Sequence, residues 1–324
     1  MKIKQGLVLI IMSSMLSNVA IAMSLPGPLV ETDWLAKNKS KVVILDIRKD
    51  TKSFTKKPVF SKNKKTGKLK LKKVGGHIPG SVLVKYKDLR TKRKIDGKLV
   101  KKMLVDKAAF EKVMQKAGVN KDSAVVIVSK GENNAHLTTA TRLYWQMKYY
   151  GHDNMAILNG GMAQWIIDKR KISIKKSKVK KGDWVATAER NNILATSKDV
   201  DAAVKKKAQL VDTRSISLYL GTWRKKSYVY ANGHVPGAKP YPNELLSTTM
   251  PAKFINPNDS KSLFKQLGIQ TDKKSITYCN SGHLATGSWF VLSELLGNKN
   301  VKMYDGSMHQ WTLEKRPVVK FKME

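Results

Sequence analysis

Apolar residues fall along this chain in two alternating patterns. Short runs rich in β-branched residues read as buried strands, because they are too brief for helices. They are Val42-Val43-Ile44-Leu45, Val125-Val126-Ile127-Val128, Ala156-Ile157-Leu158, Leu210-Val211 and the stretch ending in Ile276 and Tyr278. Between them lie stripes at helical spacing. Phe110, Val113, Met114 and Ala117 close on Gly118; Leu143, Tyr144, Trp145 and Met147 form another; Trp289, Phe290, Leu292, Leu295 and Leu296 run to Gly297. Strands alternating with helices predict an α/β fold built on parallel sheets. Two ranges break the pattern. Residues 49–73 hold eleven lysines and one acid, which predicts a solvated, partly flexible insertion. Residues 171–189 read as a basic linker.

The pattern then repeats. Leu210-Val211-Asp212-Thr213-Arg214 matches Leu45-Asp46-Ile47-Arg48 in kind, and Gly233-His234-Val235-Pro236-Gly237 matches Gly76-His77-Ile78-Pro79-Gly80. Tyr278-Cys279 matches Val128-Ser129, His283 to Thr286 matches His136 to Thr139, and Asp305 to Trp311 matches Asn159 to Trp165. Five ordered matches roughly 150 residues apart define a tandem duplication. The expected organisation is a first copy over 27–170, the linker over 171–189 and a second copy over 190–324.

The copies differ where chemistry is expected. Cys279, the only cysteine, opens a short loop between a strand and a helix. Unpaired backbone N–H groups and the helix dipole make such a loop a place for anions. Thiols in such places ionise more readily, and the thiolate is the nucleophile. The first copy has Ser129 there, and a serine without an evident base is a poor nucleophile. The first copy is therefore expected to be inactive. Asp46, Arg48, Asp212 and Arg214 read as structural ion pairs. Cys279 and His283 are too few for a metal site, and no metal or cofactor is expected. Ala285 stands where a phosphatase-type Cys-x5-Arg loop needs arginine.

The chain opens with Lys2 and Lys4, an apolar core over Leu7–Met12 and a small-x-small site at Ala20-Ile21-Ala22. Residues 1–22 are thus expected to be a signal peptide cleaved after Ala22, giving a periplasmic or otherwise exported protein. No stable membrane span is expected after its removal. The formal charge of +38 suggests anionic partners, such as small anions, an anionic or redox protein, or an envelope surface. Nucleic acid is not among the expected partners, because the lysines are spread along the chain without interleaved aromatics.

Together, the two Asp-x-Arg segments, the two Gly-His-Ile/Val-Pro-Gly turns, the Cys279 loop, Tyr219-Leu220-Gly221-Thr222 and the Gly-Gly/Ser-Met-x-Gln-Trp endings resemble the two-domain rhodaneses, in an exported bacterial form. These are the thiosulfate and 3-mercaptopyruvate sulfurtransferases. The resemblance implies tandem rhodanese-like domains, each a parallel sheet flanked by helices, with the active site near their interface. It also implies a ping-pong reaction: Cys279 takes a sulfane sulfur from a small anionic donor, becomes a persulfide, and passes the sulfur to a thiophilic acceptor such as cyanide or a thiol. Asn280, Ser281, Gly282, His283 and Leu284 would shape the site, with backbone N–H groups of 280–284 holding the anionic sulfur. Asn280-Ser281-Gly282 is closer to the mercaptopyruvate-type loop, in which Ser281 would relay protons with His77. Leu218 stands where the family carries a substrate-gripping arginine, leaving Arg224, Lys225 or Lys226 as the candidate grip. The rival expectation is a non-catalytic carrier or binding protein for sulfur, selenium or persulfide.

Overall fold

The computed structural model describes residues 23–62 and 64–322, so the expected signal peptide lies outside the described residues. Each half folds on a five-stranded sheet. In the first, β1 (Leu29–Val30), β2 (Val43–Arg48), β5 (Val82–Lys85), β8 (Val125–Val128) and β9 (Met155–Leu158) lie in the order β1-β9-β8-β2-β5. In the second, β10 (Leu194–Ala195), β11 (Gln209–Asp212), β12 (Lys239–Pro240), β13 (Ser275–Tyr278) and β14 (Val301–Tyr304) lie in the order β10-β14-β13-β11-β12. All pairings within these two sheets are parallel. The register confirms the duplication at the residue level. Asp46 pairs with Val128, just before Ser129, and Asp212 pairs with Tyr278, just before Cys279.

Helices cover the sheets: α1 (Thr32–Asn38), α2 (Lys107–Lys116), α3 (Asn134–Tyr149) and α4 (Gly161–Ile167) in the first half; α5 (Ser197–Lys205), α6 (Ile216–Leu220), α7 (Pro257–Gln266), α8 (Ala285–Phe290) and α9 (Ser307–Leu313) in the second. The equivalent helices α3 and α8 pack against each other between the halves. Thr141 and Thr286 hydroxyls meet at 2.8 Å, and the Tyr144 and Phe290 rings stand edge to face at 4.9 Å. One apolar core runs through this interface, joining Leu45, Ile127 and Tyr144 to Cys279, Trp289 and Phe290. Burial of that kind favours two halves acting as one body.

The lysine-rich insertion is structured, contrary to expectation. It contains an antiparallel hairpin, β3 (Val59–Lys62) with β4 (Leu69–Lys73). Leu71 turns inward while Lys70 and Lys72 face out, a period-two pattern hidden by the lysines. A second hairpin, β6 (Arg90–Ile95) with β7 (Lys98–Leu104), has no strong apolar run and escapes the sequence pattern. It buries Val100, Met103 and Leu104 and reaches across to the second half. The linker lies along the first half: His77 and Ser173 exchange backbone hydrogen bonds, and Trp184 is buried edge-on to Phe110. Among the described residues, no helix is long and apolar enough to cross a membrane.

Candidate active site

Cys279 follows β13 directly, so its position at the carboxyl end of the parallel sheet is fixed by strand pairing. It is a free thiol, 1% exposed. The loop after it depends on Gly282, whose φ is +64° and whose missing Cβ would sit 2.5 Å from Asp305 Oδ1. The Ser281 amide donates to Cys279 Sγ at 3.5 Å. The Gly282 amide, also expected to face the sulfur, instead donates to Ser307 Oγ at 2.9 Å.

Ser307 is the organising residue of this loop. Its Oγ also accepts from the Cys279 amide at 3.1 Å, donates to the Tyr304 carbonyl at 2.8 Å, and stands 4.0 Å from Sγ. Its φ is +49°, a left-handed conformation that costs a non-glycine residue about 1–3 kcal/mol. The first copy places Gly161 there, at φ +56°.

The first half supplies most of the surrounding charge. Arg90 donates to the Ser281 carbonyl, and its Nη1 donates to the Tyr86 phenol at 2.5 Å. Buried Arg142 on α3 donates to the Gly282 carbonyl at 2.7 Å and pairs with Asp305 at 2.5 Å. Leu104 N–H, at the end of β7, donates to the other Asp305 oxygen at 2.7 Å. Lys101 N–H donates to His309 Nε2 at 2.9 Å. Lys49 stands over the Tyr86 ring, and Lys102 over the Tyr228 ring at 3.7 Å.

Lys49, Lys102, Tyr86 and Tyr228 lie close enough to Cys279 to interact with it electrostatically. Partial burial, then the charges of Arg90 and Lys102, bring the Lys49 pKa down to about 8. Lys102 is lowered by partial burial, then by Arg90 and Lys225. Burial, reinforced by Lys49, Arg90 and Arg142, holds His283 well below the usual histidine range, so its ring is neutral at neutral pH. Burial raises Tyr86. Asp305 and Asp212 are each paired with an arginine, which leaves the surroundings of the sulfur cationic.

The residues singled out from sequence divide into two groups. Asp46–Arg48 and Asp212–Arg214 form buried ion pairs at 2.6 Å in both copies. Each arginine also holds the turn ahead of it, through the Gly76 carbonyl at 2.7 Å and the Gly233 carbonyl at 2.8 Å. The Ser281–His77 relay is not made: among the described residues no hydrogen bond joins them. His77 stacks on Phe54 and bonds its carbonyl through Nδ1 at 2.8 Å, as His234 does with Tyr219. The shared geometry makes both rings supports for their turns. Ser281's side chain meets the Tyr228 phenol instead.

Arg224 is not a grip either. Its guanidinium folds its own loop, donating to Val229 O at 3.0 Å and Asn232 Oδ1 at 2.8 Å. Lys225 lends charge to Lys102, whereas no hydrogen bond or ion pair of the Lys226 side chain with the loop is present among the described residues. Leu218 is buried on α6. Asn280 accepts the His309 amide at 2.9 Å, and Leu284 packs on the shared core at the start of α8. Among the described residues no cluster of three or more His, Cys, Asp or Glu side chains could hold a metal.

Sequence reasoning missed Lys49, Tyr86, Arg90, Lys102, Arg142, Asp305 and Ser307 as site residues. Two carried a signal: Asp305 and Ser307 replace Asn159 and Gly161 of the first copy. The others come from the half that lacks the cysteine.

A two-copy α/β chain with one buried, loop-held cysteine at a strand end has a clear family. The rhodanese-like domain model matches residues 31–168 and again 196–314, and the chain belongs to that family. A relative named putative thiosulfate sulfurtransferase from Mycolicibacterium smegmatis is 30% identical over 292 residues, covering 88% of this chain and 93% of the relative. The sulfur carrier protein TtuD of Thermus thermophilus is 28% identical, covering 88% of this chain and 94% of its own. SseA from Escherichia coli, described as a 3-mercaptopyruvate sulfotransferase, superimposes with a TM-score of 0.68 at 24% identity, covering 87% of this chain and 98% of SseA, a likeness of fold.

Proposed function

We propose that this protein is a sulfurtransferase that carries sulfane sulfur as a persulfide on Cys279. The observation that bears most weight is the setting of that sulfur: a free thiol at a strand end, touched by the Ser281 amide and faced by cations. The Cys279 thiolate attacks the outer sulfur of thiosulfate or the thiol sulfur of 3-mercaptopyruvate. A new S–S bond forms, the donor's bond to that sulfur breaks, and its electron pair leaves with the departing group. A thiophilic acceptor, cyanide or a thiol, then removes the outer sulfur and restores Cys279. Lys102 and Lys49, with Arg90 behind them, supply the cationic grip on the donor's anion that Leu218 cannot. The name of the Thermus relative supports a second reading, in which the acceptor is another protein and Cys279 is a carrier between partners. On either reading residues 1–22 direct export, which N-terminal sequencing of the secreted protein checks.

Steady-state sulfur transfer to cyanide tests the proposal, with both donors compared in wild type and Cys279→Ser. The expected result is turnover in wild type and none in the variant. Equal turnover in both would overturn it.

A further inference from the structure

The loop carries a histidine that sulfur transfer through Cys279 alone does not use. His283 is bonded on both ring nitrogens, and both partners come from the first half. Tyr86 Oη lies 2.7 Å from Nδ1, and Lys49 Nζ lies 3.0 Å from Nε2. Thr138 Oγ1 is a further neighbour of Nε2 at 3.3 Å. Its own proton goes to the Asn134 and Ala135 carbonyls, so toward the ring it presents a lone pair. The Tyr86 phenol can donate or accept at Nδ1, while at Nε2 the Lys49 ammonium donates and the Thr138 oxygen accepts. Either tautomer of the neutral ring therefore finds a partner on each nitrogen, which is what passing a proton through an imidazole requires.

The three groups also run from solvent inward. Lys49 is exposed as a residue with its ammonium partly buried against His283, His283 is half-buried and Tyr86 is buried. Tyr86 is fixed at its inner end by Arg90, whose guanidinium also ties the carbonyl of Ser281, two residues from the thiol. The phenol so held lies within the field of Cys279. His77 and His234 stack face to face on an aromatic ring and bond a backbone carbonyl, whereas His283, which also meets the Ala135 backbone, carries a titratable side chain on each ring nitrogen.

Resting on the sulfurtransferase reading above, we propose that Lys49, His283 and Tyr86 form a proton relay that delivers a proton from solvent to the leaving group of the sulfur donor. The chemistry then selects the donor class. With thiosulfate, the Cys279 thiolate bonds to the outer sulfur, the S–S bond breaks and sulfite leaves with the pair; no proton is needed. With a 3-mercapto-2-oxo acid, the C–S bond breaks and its pair goes to carbon as an enolate, while the thiol proton stays on the transferred sulfur. That carbon needs one proton. Tyr86 gives it, His283 Nδ1–H refills Tyr86, Lys49 refills Nε2, and water refills Lys49. One proton is consumed, the 2-oxo acid leaves, and Cys279 holds the persulfide. The relay equips the site for donors that leave through carbon.

Lys49 holds its proton below about 8, the value set by partial burial and by the facing charges of Arg90 and Lys102, with Cys279 opposing. The carbon-leaving reaction is therefore expected to slow as pH rises through that value. Single-turnover persulfide formation on Cys279, followed with 3-mercaptopyruvate and with thiosulfate, tests the relay in wild type, Lys49→Arg and Tyr86→Phe. Arginine keeps the charge and phenylalanine keeps the packing, but neither passes a proton. The expected loss in the single-turnover rate constant with 3-mercaptopyruvate is about 10²-fold in each variant, the scale of general acid catalysis, with a loss on thiosulfate at least about five-fold smaller. In Lys49→Arg the alkaline fall disappears. Equal losses on both donors would reduce these residues to charge and packing and overturn the relay, as would a wild type that accepts sulfur from thiosulfate only. A wild type that forms no persulfide with either donor would instead overturn the sulfurtransferase reading, and the relay with it.

Discussion

Ser307 occupies a left-handed conformation that the first copy gives to Gly161. A serine is strained there, and its hydroxyl pins the amides of Cys279 and Gly282. Each such bond is worth about 0.5–1.5 kcal/mol, so Ser307→Gly is expected to slow persulfide formation about ten-fold although glycine suits the backbone. Stopped-flow kinetics checks this; a variant as quick as wild type would show that the hydroxyl is dispensable. Cys279 was legible in the sequence because it is the only cysteine and stands where the first copy has Ser129. His77 was misleading for a related reason. A histidine in a turn reads alike as support or as catalyst, and only its stacking on Phe54 and its bond to the Phe54 carbonyl separate the two.

Elements of the first half hold the catalytic loop of the second. The β6–β7 hairpin caps Asp305 through Leu104 N–H and His309 through Lys101 N–H, while α3 contributes Arg142 to Asp305 and to the Gly282 carbonyl. Removing one member of a buried ion pair leaves the other uncompensated. Arg142→Met is expected to cost about 3–5 kcal/mol in urea unfolding; a loss under about 1 kcal/mol, the size of an exposed pair, would contradict this role. The buried parallel strands were readable because their apolar runs are continuous. The hairpins were not. β6 is basic along its length with Ile95 alone apolar, β7 breaks its apolar residues into the pairs Leu99-Val100 and Met103-Leu104 around two lysines, and in β3–β4 Leu71 is the one residue turned inward. Charge in such strands masks the period that places them in the fold.

At the scale of the whole molecule, duplication divides the labour. One copy carries the nucleophile, and the other carries Lys49, Tyr86, Arg90, Lys102 and Arg142 around it. The matching motifs disclose the two copies from sequence, but not that the copy without cysteine brings the charge, because those residues have no counterpart motif. The chain's formal charge of +38 extends this field outward. Added salt screens exposed charge over about 8–10 Å, so KM for an anionic donor is expected to rise several-fold between low and physiological salt with kcat changing less. Initial rates at varied ionic strength check this, and a salt-independent KM would place donor capture outside the field.

The central claim is that Cys279 carries the sulfur. Intact-protein mass spectrometry after brief exposure to each donor, with and without cyanide, tests it most directly. The account predicts a gain of one sulfur atom, mapped to Cys279, reversed by cyanide and absent in Cys279→Ser. Turnover without sulfur on Cys279, or sulfur gained equally by the serine variant, would contradict it.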